Sequence, residues 1–258
     1  MVSKLAGMTN LERRVDGVAA IIPAKDEQDR IAATVQATRG IPGVDVVIVV
    51  DDGSTDRTTA TAQAAGAVVV GHARNRGKAA AMETGATALS AIESRESSRT
   101  GPRALLFLDA DLEDTAAGAQ PLVEPILADE ADMTIGILPA QRTEGGGRGL
   151  VVDLARTGIE RATGWTATQP LSGQRCLTRA AFEAALPLAQ GFGVETGLTI
   201  DLLRQGFRVT EVDVEFHHRV TGTDLKAQVH RGKQYAHVMR ALVTRGIRPA
   251  APARFRTR

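Results

Sequence analysis

Short apolar runs separated by polar turns organise the first half of this chain. The runs at 18–24, 44–50, 67–71, 104–108 and 133–138 are continuous rather than alternating, as in strands buried on both faces of a parallel sheet. Segments 26–38, 56–65 and 77–92 between them have helical character. Strands alternating with helices predict βαβ units joined by right-handed crossovers. The expected fold class is therefore α/β, a mostly parallel sheet flanked by helices in a single domain. Past residue 138 the regularity ends. TEGGGRG at 143–149 predicts a flexible loop, followed by a helix over 150–162 and another over 195–204. Val212, Val214 and Phe216 alternate with Asp213 and Glu215, which predicts a strand over 209–216 with one wetter face. Leu225, Val229, Ala236, Met239 and Val243 fall at helical spacing, so 224–244 is expected to be an amphipathic helix. The Ser/Arg-rich piece 93–103 reads as a surface loop.

Composition narrows the possibilities. Aromatic residues make up 3% of the 258 positions, so the core must be built mostly of Ala, Val, Leu and Ile. A formal net charge of +1 gives no global field for nucleic acid. The single cysteine, Cys176, excludes an intrachain disulfide framework and a zinc cluster, and reads as a small core residue. Residues 1–16 lack the apolar segment of a signal peptide, and no apolar stretch approaches the roughly 20 residues of a membrane span. The expectation is a cytoplasmic protein without stable membrane association. The arginine-, proline- and alanine-containing stretch 245–258 reads as a basic, flexible tail.

Chemistry gathers where the apolar runs end. LLFLDADLED at 105–114 stops abruptly in carboxylates, with Asp109 and Asp111 two apart. Open α/β sheets bind ligands at the carboxyl ends of their strands. Two such carboxylates supply the oxygen ligands that Mg²⁺ and Mn²⁺ prefer, alongside substrate phosphates. The first run ends in PAKDE, where Asp26 could instead cap the following helix. The second ends in VVDDGSTD, whose Asp51 and Asp52 suit the N–H of a base or ribose hydroxyls, or a capped turn. HARNRGK sets Arg74, Arg76 and Lys78 at a strand-to-helix junction, and cations beside a helix amino end favour phosphate. Neither a Walker loop nor the G-x-G-x-x-G dinucleotide fingerprint is present, which disfavours a P-loop kinase and a dehydrogenase.

PAKDE, VVDDGSTD, NRGKAAAM and LFLDADLED resemble the GT-A (Rossmann-like) glycosyltransferases of the broad family 2 type. GGGR at 145–148, QPLSGQR at 169–175, GFGVETGLTIDLL at 191–203 and FHHR at 216–219 sharpen this. They look like the retaining glucosyl-3-phosphoglycerate synthases. The resemblance implies an N-terminal extension at 1–17, a glycosyltransferase domain at 18–244 and the tail at 245–258. Within the domain, 18–115 would bind the nucleotide and 116–244 the sugar and acceptor. It implies that Pro23, Ala24 and Glu27 surround the uridine, and that Asp51 and Asp52 receive base and ribose. Lys78 would lie near the nucleotide–sugar, and Asp109 would serve the ribose or support the metal site without binding the ion itself. Asp111 would anchor the metal, completed by His218, with His217 the neighbouring alternative. Glu195 would contact donor-sugar hydroxyls. Leu171, Ser172 and Gly173 would line the sugar and acceptor pocket, and Gly147 and Arg148 would hold an acidic acceptor. Two departures bear on the acceptor: Leu150 replaces a usual hydroxyl residue, and Gln174 stands where glutamate is usual.

The implied enzyme is a metal-dependent glycosyltransferase with Asp111, Glu195 and Lys78 as its catalytic groups. It would move a hexose from a nucleotide-sugar, UDP-glucose or a GDP-sugar, to an acceptor such as 3-phosphoglycerate, with retention. An inverting route would need a base, Glu195 or Asp153. The rivals are a polyprenyl-phosphate glycosyltransferase, a sugar-1-phosphate nucleotidyltransferase and an inactive nucleotide-sugar-binding protein. Relatives are commonly homodimers, but no stripe in this sequence specifies an interface.

Overall fold

The structure, a computed structural model, describes residues 15–139, 149–216 and 225–248. Seven strands form one sheet: β1 (Val18–Ala24), β2 (Val44–Asp51), β3 (Val68–Gly71), β4 (Ala104–Phe107), β5 (Met133–Ile137), β6 (Arg175–Leu177) and β7 (Val209–Asp213). Their order is β3-β2-β1-β4-β6-β5-β7. Only β6 runs against its neighbours, pairing antiparallel with both β4 and β5. The helices are α1 (Ile31–Arg39), α2 (Thr58–Ala64), α3 (Lys78–Glu93), α4 (Gln120–Leu127), α5 (Leu150–Thr163), α6 (Arg179–Ala184), α7 (Val194–Arg204) and α8 (Leu225–Val243).

In the central strands β1, β4 and β5 and the second half of β2 the continuous apolar runs are explained by burial on both faces, whereas β3 is an edge strand with Val68 exposed. In β1, Val18, Ala20 and Ile22 pack into the layer that holds Ile31 and Val35 of α1 and Leu122 and Ile126 of α4. Ala19 and Ile21 face the opposite layer, with Met82 and Leu89 of α3 and Leu198 and Leu202 of α7. A smaller cluster joins α5, α7 and α8 through Leu154, Ile159, Ile200, Val238 and Leu242. The core is aliphatic, as the composition requires. Cys176 is fully buried within it, and burial pushes its thiol up, so it is inert.

Several predicted bounds shift for local reasons. Helix α1 begins at Ile31 rather than at residue 26. Asp26 adopts a left-handed φ of 55°, and its carboxylate accepts the Thr55 N–H at 2.8 Å instead of capping a helix. β7 ends at Asp213, although Val214 and Phe216 beyond it remain buried. The piece 93–103 is less free than a surface loop, because Arg103 is 3% exposed. The sequence did not predict β6, α4 or α6: β6 has three residues, α6 has six, and the apolar α4 is interrupted by Pro121 and Pro125. β6 matters most. Because it runs antiparallel, its entry end lies at the carboxyl edge of β4 and β5, and the preceding loop is delivered there.

Candidate functional site

The first-predicted carboxylates stand at that edge, one residue past the apolar Leu108. Asp109 is held on three sides. Its Oδ1 accepts from Lys78 Nζ at 2.8 Å and its Oδ2 from Gln174 Nε2 at 2.6 Å. Its own N–H donates to Gln174 Oε1 at 3.1 Å. Lys78 opens α3 and also lies 3.3 Å from Glu195 Oε1 in the first turn of α7. Burial alone would lower the ammonium, but Asp109 and then Glu195 hold it above its ordinary value, so it is a permanent cation between two carboxylates. Gly173 fits beneath this group. A Cβ there would fall 2.3 Å from Lys78 Nζ and 3.2 Å from Asp109 Oδ1.

Asp111 differs. Its carboxylate takes no hydrogen bond or ion pair among the described residues, and Glu27 and Arg30 lie within its electrostatic reach. Glu27 Oε2 accepts from Arg30 Nε at 2.7 Å; burial pushes the Glu27 carboxyl up against that guanidinium. Asp111 thus presents hard oxygens suited to Mg²⁺ or Mn²⁺. Among the described residues no three acidic, histidine or cysteine side chains converge as a metal cluster. His217, His218, Gly147 and Arg148 lie outside the described residues.

Asp51 and Asp52 are both buried at the end of β2 and are engaged by protein donors. Asp51 accepts the Ser54 N–H at 2.8 Å and the Thr59 hydroxyl. Asp52 accepts from the N–H groups of Arg76 and Gly77, each at 2.7 Å, and pairs with His72 Nδ1 at 2.7 Å. Burial works to raise the Asp52 carboxyl, but His72 and those amides hold it below its usual range. These carboxylates therefore shape the turn and the loop that delivers Lys78. Gly53, at φ 76°, lets the two loops touch, since a Cβ there would fall 2.7 Å from the Arg74 backbone. Pro23 sits where the β1–β4 ladder has ended at Ile21 and Phe107, so its missing N–H breaks no bond there. The Ala24 carbonyl accepts from the Asp52 N–H at 2.8 Å. Ser172 is buried and turns back on Gln169 through its N–H, while Leu171 packs on the α5–α7–α8 cluster.

The structure therefore brings Lys78, Asp109, Glu195 and Gly173 together and sets Asp111 and Glu27 nearby on the same edge. Sequence reasoning missed the bracket that Gln174 makes around Asp109. Its only sequence signal is Gly-Gln-Arg directly before the buried pair Cys176 and Leu177, a strand entry too short to recognise by periodicity.

Known proteins resemble this chain in sequence and fold. The glycosyl transferase family 2 profile matches residues 19–184. Glycosyltransferase AglJ of Haloferax volcanii is 30% identical over 216 residues, covering 81% of this chain and 66% of that protein. Glucosyl-3-phosphoglycerate synthase of Mycolicibacterium smegmatis is 31% identical over 198 residues, covering 71% of this chain and 63% of that protein. The chain thus spans about two thirds of the length of these two relatives. Among solved structures, glucosyl-3-phosphoglycerate synthase of Mycobacterium tuberculosis with Mn²⁺, UDP-glucose and phosphoglyceric acid superposes with a TM-score of 0.70 at 29% identity. That match covers 95% of this chain and 86% of the other. The same enzyme with Mg²⁺ and UDP superposes at 0.67 with 27% identity.

Proposed function

This chain belongs to glycosyl transferase family 2 and is a GT-A glycosyltransferase, and on that premise we propose that it moves a hexose from a nucleoside-diphosphate sugar to a small acidic acceptor. UDP-glucose as donor and 3-phosphoglycerate as acceptor are the pair favoured by the resemblance to the mycobacterial enzymes. One observation of this chain carries the reading: Lys78 lies between Asp109 and Glu195 at the carboxyl edge of β4. That group combines a fixed cation for a departing diphosphate with carboxylates for sugar or ribose hydroxyls. Residues 18–115 would hold the nucleotide, and 116–244 the sugar and acceptor, with Gly147, Arg148, Ser172 and Gly173 on the acceptor side.

Asp111, completed by His218 and phosphate oxygens, would hold Mg²⁺ or Mn²⁺. Bound there, the cation supplies Lewis-acid stabilisation of charge on the diphosphate. Lys78 adds a second positive charge that is already in place before reaction, so no reorganisation is needed as the leaving group forms. Glu195, buried and tied to Lys78, orients the sugar. Retention follows if the acceptor hydroxyl enters on the face that the diphosphate leaves. Asp153, the alternative base for an inverting route, is exposed and paired with Arg156 at 3.2 Å.

The test is metal-dependent UDP release from UDP-glucose, with and without 3-phosphoglycerate, alongside a polyprenyl-phosphate arm. The expected result is acceptor-dependent release with 3-phosphoglycerate and an α-linked product by NMR. A β-linked product overturns retention, and preference for the polyprenyl phosphate overturns the acceptor. Asp111→Ala should abolish metal-dependent turnover; full activity in that variant would remove Asp111 from the metal site.

A further inference from the structure

Arg175 is the largest fully buried side chain among the described residues and carries a charge. It lies mid-sheet, opposite Phe107 of β4 and Ile135 of β5. Buried charges are normally paired, and apolar replacements of similar volume are often as stable or more so. Yet no carboxylate lies within ion-pair distance of Arg175 among the described residues. Its donors meet neutral acceptors instead. Nε–H donates to the Ser172 carbonyl at 2.8 Å and Nη2–H to the Pro170 carbonyl at 3.3 Å. Nη1–H donates to Thr199 Oγ1 at 2.8 Å and approaches Met133 Sδ at 3.8 Å. The Thr199 hydroxyl passes the chain on, donating to the Glu195 carbonyl at 2.9 Å.

A continuous run of hydrogen bonds thus links the 170–172 loop to the helical turn that carries Glu195. Both ends flank the Lys78–Asp109 pair, since Gly173 and Gln174 directly follow the loop. Neither arm is otherwise tied by its own buried hydroxyl: Ser172 Oγ and Thr196 Oγ1 have no hydrogen-bond partner among the described residues. Burial pushes the Arg175 guanidinium down to about 10, opposed by Glu195 and Glu211, so at neutral pH it stays a cation.

We propose that Arg175 and Thr199 form a positioning brace, fixing the spacing between the 170–173 loop and Glu195 so that the donor sugar is held in register with the departing diphosphate. The functional part of this rests on the sugar-facing role of Glu195 and the loop proposed above. The brace touches no reacting atom. The brace acts on the sugar end of the donor and leaves the β2 turn around Asp51 and Asp52 untouched, so losing it should lower kcat far more than it raises the donor KM.

The experiment compares wild type with Thr199→Val, which keeps shape and removes the hydroxyl, and with Thr199→Ser, which restores it. Arg175→Lys keeps the charge and loses the planar fork. Hydrogen–deuterium exchange is followed over 168–175 and 191–199, together with kcat and donor KM. Thr199→Val and Arg175→Lys should speed exchange in both segments and lower kcat by about tenfold, with donor KM within about twofold. Thr199→Ser should match wild type. If Thr199→Val or Arg175→Lys leaves exchange and kcat unchanged, the guanidinium is only core packing and the brace is wrong, whatever happens to Tm. If wild type transfers no sugar, the functional reading fails on its own, and exchange in the two segments still decides whether the brace exists.

Discussion

An ammonium between two carboxylates works only if it stays in place, and Lys78 is confined by its surroundings. Asp109 Oδ1 holds it at 2.8 Å and Glu195 Oε1 at 3.3 Å, while Gly173 closes the space beneath. The position of Gly173 gives a clean perturbation. An added methyl would come within 2.3 Å of Nζ, the far end of a flexible side chain, so the fold can absorb it while the ammonium cannot keep both partners. Gly173→Ala should therefore leave Tm within a degree or two and lower kcat by about tenfold or more, because small misplacements of a charge-stabilising group cost rate rather than fold. Steady-state kinetics beside a melting curve checks this. Unchanged kcat would mean that the exact seat of Lys78 does not matter to turnover.

Elements, more than residues, decided what could be read from the sequence. The central parallel strands were legible because burial on both faces leaves a continuous apolar run, and Lys78 and Asp109, just beyond the ends of β3 and β4, converge in the structure with Glu195, to which the family resemblance alone pointed. β6 was not legible. It is three residues long, contains a buried arginine and has no periodicity to detect, so the Gln174 bracket and the Arg175 contacts that depend on it stayed hidden. Helix α4 was obscured by Pro121 and Pro125, residues that ordinarily argue against a helix interior. The loop between β3 and α3 was legible only as a basic cluster; what fixes it is Asp52, reaching across from β2. Because the Arg76 and Gly77 N–H groups and His72 all converge on that one carboxylate, Asp52→Asn would turn a donor toward donors. The expected loss is about 2 kcal/mol of stability, typical of hydrogen bonds to a charged group, with a raised donor KM as Lys78 loses its fixed approach. Urea unfolding and donor titration test the two halves; a variant as stable as wild type would show that the loop holds itself.

Across the whole molecule, chemistry and cohesion sit at opposite ends of the sheet. The carboxyl edge carries Lys78, Asp109, Asp111 and Glu195. The amino edge carries an ion-pair network that ties the entries of β1, β2 and β4 to the end of α3. Arg103, just before β4, meets Asp45 at 2.6 Å and Glu96 at 2.8 Å, and Arg99 meets Asp45 at 3.1 Å and Glu96 at 2.7 Å. Arg179 joins from α6 through Glu93 at 3.0 Å. The separation makes an acid-stability prediction that leaves the site untouched. Hydrogen bonds from Arg103 and then Arg99 depress the Glu96 carboxyl from its ordinary 4.5 to about 2. A carboxylate depressed in the folded state contributes stability that is complete above its unfolded value and lost as pH falls through the folded one. Glu96 should therefore stabilise the protein fully above pH 4.5 and progressively less down to about 2. Glu96→Gln should lower stability at neutral pH, flatten the fall in stability across that window, and leave kcat and KM unchanged. Chemical denaturation at a series of pH values measures this directly, and a variant whose stability falls as steeply as wild type below pH 4.5 would show that the network holds no depressed carboxylate at Glu96.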